Sequence, residues 1–385
     1  MLTRPPGHRR DVVLRPAATA MVLLAAGHPH ETIAVPGVAL GEEDVLVAVE
    51  LSTVCRADAE AARGARRAST PVVLGHESVG RIIALGDAGA TAFDGSPLRI
   101  GDRVVWSATV SCRQCDRCLC GRPQSCPSAT RYGEERVAPD RELAGAFASH
   151  VQLRPGTAVV RVPETLPAAV LAPAACTTAT AWAAVARVRR HRDLVGTRVR
   201  VHGAGLLGLT VTAMAVGLGA VVEVRDPDAG RRARAREFGA TTVDGEPDAV
   251  VHTAGPVTAA AIEAVADGGI VIIVGGDARD TDPVAAASAA DRAVGAGASD
   301  AGATGLENVG IDAARLSARS TTIAGVHGSA GGDLADAVAF LAGRGRAYPF
   351  ADAVGSILAL SAVDAALAAA SEPAAPLRVG LVPGP

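Results

Sequence analysis

The run Cys112-Arg-Gln-Cys115-Asp-Arg-Cys118-Leu-Cys120-Gly-Arg-Pro-Gln-Ser-Cys126 sets four cysteines at gaps of three, three and eight residues. A segment spaced in this way predicts one compact loop that wraps Cys112, Cys115, Cys118 and Cys126 around a tetrahedral ion. Zinc has no geometric preference of its own and takes soft sulfur ligands, so it is the expected metal, held in a closed structural site. The competing reading is a disulfide-stapled loop. That needs an oxidising compartment, and the chain has seven cysteines, an odd number with five crowded together. Cys120 is surplus to the tetrad and is read as a bystander thiol.

Around this lobe the pattern divides the chain in two. The 385 residues, 49% of them hydrophobic, suffice for two domains with full cores. Residues 1–16 carry four arginines and read as an untethered N-terminal arm, with a first strand at Met21–Ala26. Residues 17–176 then read as short strands and turns, such as Asp44–Glu50 and Glu77–Leu85. From about 177 the pattern becomes repeating strand, turn and helix, the mark of a parallel sheet. Thr197–His202, Ala220–Arg225, Ala249–His252, Gly269–Val274 and Thr321–Val326 are its strands. Residues 278–310 are almost entirely Ala, Gly, Ser, Asp and Thr and read as a low-complexity loop. A helix at Asp333–Leu341 and a closing segment at Leu377–Leu381 follow.

Gly203-Ala-Gly205-Leu-Leu-Gly208 falls between a predicted strand and a predicted helix. There the glycines permit a tight turn and close backbone approach, so that a pyrophosphate rests on the helix N-terminus. Eighteen residues after Gly208, Asp226 ends the next strand, where a carboxylate holds a ribose 2′-hydroxyl. Asp226 favours NAD by repelling a 2′-phosphate, while Arg225, Arg231 and Arg232 keep NADP open. His202, just before the turn, reads as a packed core histidine rather than a ligand.

Cys55, His76 with Glu77, and Cys176 remain as candidate ligands. Two cysteines and a histidine leave zinc an open fourth position, the arrangement that Lewis-acid catalysis needs. With Gly75-His76-Glu77, the four-cysteine lobe, the glycine turn and its acid, and Cys176 in this order, residues 17–381 resemble the zinc-dependent alcohol dehydrogenases of the medium-chain dehydrogenase/reductase superfamily. Thr70–His76, Ala172–Cys176, Asp226–Arg232 and Thr322–His327 are most similar to the phosphonate-catabolism-associated subgroup. The resemblance implies an α/β fold: a GroES-like β-barrel catalytic domain (17–176 and 327–385, with the zinc lobe at 111–127) and a Rossmann domain (177–326). It implies that Cys55, His76 and Cys176 bind the catalytic zinc, that Glu77 exchanges onto the metal, and that Asp58 hydrogen-bonds the ligand histidine. Arg56 and Arg378 would contact the cofactor pyrophosphate, and Thr180 and Leu207 the nicotinamide.

Two departures stand against that pattern. Where the family carries a proton-relaying Ser or Thr, two residues past the first ligand cysteine, this chain has Ala57; where a histidine often ends the relay, it has Glu60. The expected activity is zinc-dependent hydride transfer between NAD(H) and an alcohol or carbonyl. Reduction of an iminium or a conjugated C=C bond, which needs no such relay, is the alternative within the fold. A catalytically inactive scaffold that keeps the structural zinc is the alternative outside enzymes. All 37 basic residues are arginine, which removes Schiff-base chemistry, and a net charge of −3 gives no pull toward nucleic acid or anionic membrane. No stretch approaches the ~18 uninterrupted apolar residues of a membrane span. A cytoplasmic homodimer or homotetramer acting on a small molecule is expected.

Overall fold

Val, Leu and Ala fill most of the cores of this protein, because with 2% aromatic residues it has few large rings to do so. A computed structural model of the chain describes residues 9–254, 262–275, 312–372 and 375–384. The low-complexity stretch 278–310 lies outside the described residues. The chain divides into two compact units, Met1–Ala183 with Gly328–Pro385, and Ala184–His327.

In the first unit, β1 (Arg10–Leu23) pairs antiparallel with β2 (Glu31–Leu40) and, at its far end, with β4 (Val72–Val73). Residues 10–16 are therefore strand, not free arm: Arg10 lies opposite Leu40 and Val12 opposite Val38. The arginines masked an alternation in which Leu14 is buried, and the register shifts between Val13 and Ala18, around Pro16, which has no N–H for the ladder. The larger sheet runs β15 (Val354–Ala359), β16 (Arg378–Val382), β3 (Val45–Val54), β5 (Ser78–Leu85), β6 (Arg103–Val110), β7 (Thr130–Arg131). β8 (His150–Leu153) joins β3, and β9 (Thr157–Arg161) joins β6. Short helices α1 (Arg56–Arg63), α2 (Asp116–Leu119) and α3 (Ala168–Leu171) interrupt the strands, and α4 (Thr177–His191) follows. Trp106 on β6 is buried in the core, and the indole N–H of Trp182 on α4 donates to Asp336 Oδ2 (2.9 Å) on helix Gly331–Ala342.

The second unit holds one parallel sheet in the order β11 (Val221–Arg225), β10 (Arg198–His202), β12 (Ala249–His252), β13 (Ile270–Val274), β14 (Thr322–Val326). α5 (Leu206–Gly217) follows β10, and α6 (Ala229–Glu237) follows β11. The chain leaves β10 toward β11 and returns to β12 on the other side. That reversal opens a crevice at the carboxyl ends of β10 and β12, the place where such sheets bind ligands. The division of units falls inside α4, so its first turns stay with the first unit rather than starting the second at 177. Among the described residues no single helix is long and apolar enough to cross a membrane.

Candidate functional site

Three turns of the first unit carry the candidate ligands. β3 ends at Val54, and Cys55 is the N-cap of α1. His76 and Glu77 follow Gly75, whose φ of +93° favours glycine and whose added Cβ would lie 2.6 Å from the Phe147 ring. Cys176 sits between the 3₁₀ turn Ala172–Ala175 and α4. Cys55 Sγ lies 3.2 Å from His76 Nε2. Asp58, 2% exposed, accepts from Cys55 N (2.9 Å) and Gly75 N (3.2 Å) and stands 3.2 Å from His76 Nδ1. A carboxylate on Nδ1 keeps the proton there and turns the Nε2 lone pair toward Cys55, the tautomer a metal ligand needs. Asp58 thus stands behind the histidine. Cys55, Asp58 and His76 form a group with ligand atoms within 4.8 Å of one another. Cys176 falls outside that tight group, although its charge still acts on His76 and on Arg378.

Burial pushes the Cys55 thiol up to about 12, and the Asp58 charge adds to it. Burial alone would lower His76, but Cys55 and Asp58 outweigh it and raise the imidazole well above its ordinary value. For Asp58 and Glu77 the penalty of burial is likewise overcome, by His76 and by Arg378 respectively, and both carboxyls lie below their usual range. A thiol, an imidazole and screened carboxylates, with a second thiol acting on them electrostatically, are a donor set for a borderline-soft cation, whose charge would favour the thiolates.

The four-cysteine lobe closes as its spacing predicts. Cys112, Cys115, Cys118 and Cys126 bring their sulfurs within 4.8 Å of one another, with Cys115–Cys118 at 3.5 Å and Cys112–Cys118 at 3.9 Å. Four thiolates at a Zn–S distance of ~2.3 Å span edges of ~3.8 Å, so the cage fits zinc. The backbone N–H groups of Gln114 and Cys115 lower the Cys112 thiol to about 6, poising it as a thiolate. Cys120 is exposed and outside the group.

In the second unit the glycine turn follows β10. Gly203 has φ +99°, and a Cβ on Gly208 would strike the Gly203 carbonyl at 1.8 Å, so both positions exclude side chains. Gly205 is different: a Cβ there meets no atom within 4 Å, which leaves open space above the α5 N-terminus. That opening fits a pyrophosphate approaching backbone N–H groups. Leu207 lies half-buried in the first turn of α5. Asp226 braces the turn, with Oδ2 accepting from Ala204 N (2.8 Å) and Oδ1 from Asp228 N (2.9 Å). Arg232 Nη1 folds back onto the carbonyls of Asp226 (2.6 Å) and Pro227 (2.9 Å), and Arg225 pairs with Glu223 (2.7 Å).

His202 stacks on His252 with ring centroids 5.4 Å apart, and its Nε2 is buried without a hydrogen-bond partner. Burial first, then His252, Arg200 and Arg225, lower it to about 4. Unfolding lets this imidazole take up a proton between about pH 6.5 and about 4. Its contribution is intact above that window and is lost as pH falls through it. His202→Asn is expected to flatten the loss of melting temperature between pH 7 and pH 4; an unchanged slope assigns that loss to other groups.

The remaining expected site residues are placed as follows. Arg56 has an 83% exposed side chain and pairs with Glu60. Thr180 lies in the first turns of α4, its N–H donating to the Cys176 carbonyl (3.0 Å). Arg378, expected at a pyrophosphate, is half-buried and forks onto Glu77 at 2.6 and 2.9 Å. Glu77 also accepts from Thr53 Oγ1 and Thr177 Oγ1, both at 2.7 Å. Neither threonine carries a signal in the sequence; each stands out only once the chain has folded around Glu77.

Residues 41–164 match the alcohol dehydrogenase GroES-like domain. The chain is 34% identical over 210 residues to the Mycobacterium tuberculosis protein named probable alcohol dehydrogenase adh, covering 52% of this chain and 55% of that one. It is 32% identical over 233 residues to an L-threonine 3-dehydrogenase of Chelativorans sp., covering 57% and 60%. It thus spans little more than half the length of these relatives. In three dimensions it is similar to an alcohol dehydrogenase of Thermotoga maritima, with a TM-score of 0.79 at 24% identity, over 95% of this chain and 99% of that one. The two units are a GroES-like domain and a Rossmann domain.

Proposed function

We propose that the chain is a member of the zinc-dependent alcohol dehydrogenase family of the medium-chain dehydrogenase/reductase superfamily and that it transfers a hydride between NAD(H) and an alcohol or its carbonyl. The observation that carries this reading is the Cys55–His76 pair at 3.2 Å with Asp58 behind the imidazole. With Cys176 it offers three ligands and leaves a fourth position for substrate oxygen. When bound, zinc supplies Lewis acidity toward that oxygen, and the nicotinamide supplies or takes the hydride.

The chain's own residues do the rest. Asp58 fixes the ring and tautomer of His76. Gly203, Gly205 and Gly208 let a pyrophosphate reach the N–H groups at the start of α5, and Asp226 stands at the end of β11 to accept ribose hydroxyls. A 2′-phosphate there meets like charge, and Arg225 and Arg232 are already engaged within the unit. This supports NAD over NADP. The four cysteines of the lobe would hold a second, structural zinc.

Ala57 favours a second reading. No hydroxyl follows Cys55 to carry an alcohol proton outward, and Glu60 is tied to Arg56. An iminium or conjugated C=C substrate dispenses with that step. Nicotinamide absorbance, followed with alcohols, aldehydes, iminium compounds and enones against NADH and NADPH, tests both. The expected result is turnover of a carbonyl–alcohol pair with NADH bound more tightly than NADPH. Turnover confined to iminium or enone substrates supports the second reading. No binding of either cofactor, with one zinc per chain, leaves a scaffold.

A further inference from the structure

Glu77 is fully buried, and its carboxylate has about four lone-pair sites. All four are taken: Thr53 Oγ1 donates to Oε2 (2.7 Å), Thr177 Oγ1 to Oε1 (2.7 Å), Arg378 Nε to Oε2 (2.6 Å) and Arg378 Nη2 to Oε1 (2.9 Å). Arg378 Nη2 also donates to Thr177 Oγ1, which closes a triangle of guanidinium, hydroxyl and carboxylate. The backbone adds a fifth tie, from Thr53 N to the Glu77 carbonyl at 2.9 Å.

Glu77 and both threonines come from segments that each bear a candidate ligand. Thr53 is two residues before Cys55, Glu77 is one after His76, and Thr177 is one after Cys176. Arg378 opens β16, which pairs with the end of β3 through Val379–Val54 and Gly380–Thr53. One carboxylate therefore cross-links the three ligand-bearing turns from beneath. Coordinating a metal with Glu77 would mean breaking the charge-assisted bonds of a fully buried carboxylate.

We infer that Thr53 and Thr177 are positioning residues, which keep Glu77 on Arg378 and off the metal and set the spacing of Cys55, His76 and Cys176. This rests on the metal-site reading given above, and it replaces the expected exchange of Glu77 onto the metal. Deleting one hydroxyl leaves a carboxylate oxygen short of a donor, and the cation next to it becomes the competing partner. Threonine to valine removes the donor at almost constant volume, and threonine to serine keeps it.

The test is the difference in visible absorption between cobalt-loaded wild-type protein and the Thr53→Val, Thr177→Val and double variants, which cancels the four-cysteine lobe. It is paired with the rate of metal loss to a chelator. The expected result is a changed cobalt spectrum in the double variant, as carboxylate replaces solvent. The looser spacing of Cys55, His76 and Cys176 should weaken metal affinity about 10- to 100-fold, the range seen when support around ligands is removed, and so speed metal loss to the chelator. Thr53→Ser and Thr177→Ser should restore both. Wild-type spectra and chelator rates in the valine variants overturn the inference alone. A wild-type protein that takes up no cobalt at Cys55 and His76 overturns the metal-site reading and the inference with it.

Discussion

Replacing Cys115 by serine is expected to halve the zinc content and to lower the melting temperature by about 10 °C. A structural zinc site couples its binding free energy directly to folding, and this lobe has little else to hold it. α2 is a single turn, the 3₁₀ turn Pro123–Ser125 is shorter still, and neither contains a buried residue. Loss of a metal belongs with the few substitutions that cost more than about 4 kcal/mol, which in a unit of this size moves the transition by about 10 °C. Metal analysis with a thermal melt decides the matter. A Cys115→Ser protein with full zinc and an unchanged melt rules out a structural metal here.

His76→Ala should act in the opposite way, abolishing turnover while sparing most of the fold. The imidazole links Cys55 to Asp58, so its loss removes one ligand and leaves Asp58 facing an empty space with only backbone donors from Cys55 and Gly75. Lewis-acid stabilisation of a developing alkoxide amounts to several kcal/mol, so the rate should fall at least about 10³-fold. The variant should keep the zinc of the four-cysteine lobe. Steady-state kinetics beside metal analysis separates the two centres: a variant that retains two zincs and more than a tenth of the rate removes His76 from the mechanism.

What could be read from the sequence was local. Cys112 to Cys126 encode their own cage because fourteen residues of chain cannot carry the sulfurs far apart. Gly203 to Gly208 encode their turn because strand, glycine and helix are consecutive, and the Gly203 φ of +99° follows from that geometry. The Glu77 brace was invisible for the opposite reason. Its guanidinium comes from Arg378, 301 residues away, and its hydroxyls belong to threonines that look like any others. The start of the first strand was missed because arginines there outweighed the alternation that pairs Arg10–Val13 with β2. Cys176 illustrates a third limit: the family resemblance groups it with His76, but only side-chain placement decides whether it joins the tight group.

The chain's two tryptophans and two tyrosines are Trp106, Trp182, Tyr132 and Tyr348, and every one belongs to the first unit. Residues 184–327 hold neither type, so the parallel sheet is dark to intrinsic fluorescence excited at the tryptophan band. A tryptophan-detected melt therefore follows the strand-rich unit with its two cysteine sites, whereas far-ultraviolet circular dichroism follows both units together. Transitions that coincide by the two probes indicate one cooperative molecule. Transitions that separate give each unit its own stability without cutting the chain. Any tryptophan introduced into α5 or α6 becomes a reporter of the second unit alone once Trp106 and Trp182 are silenced.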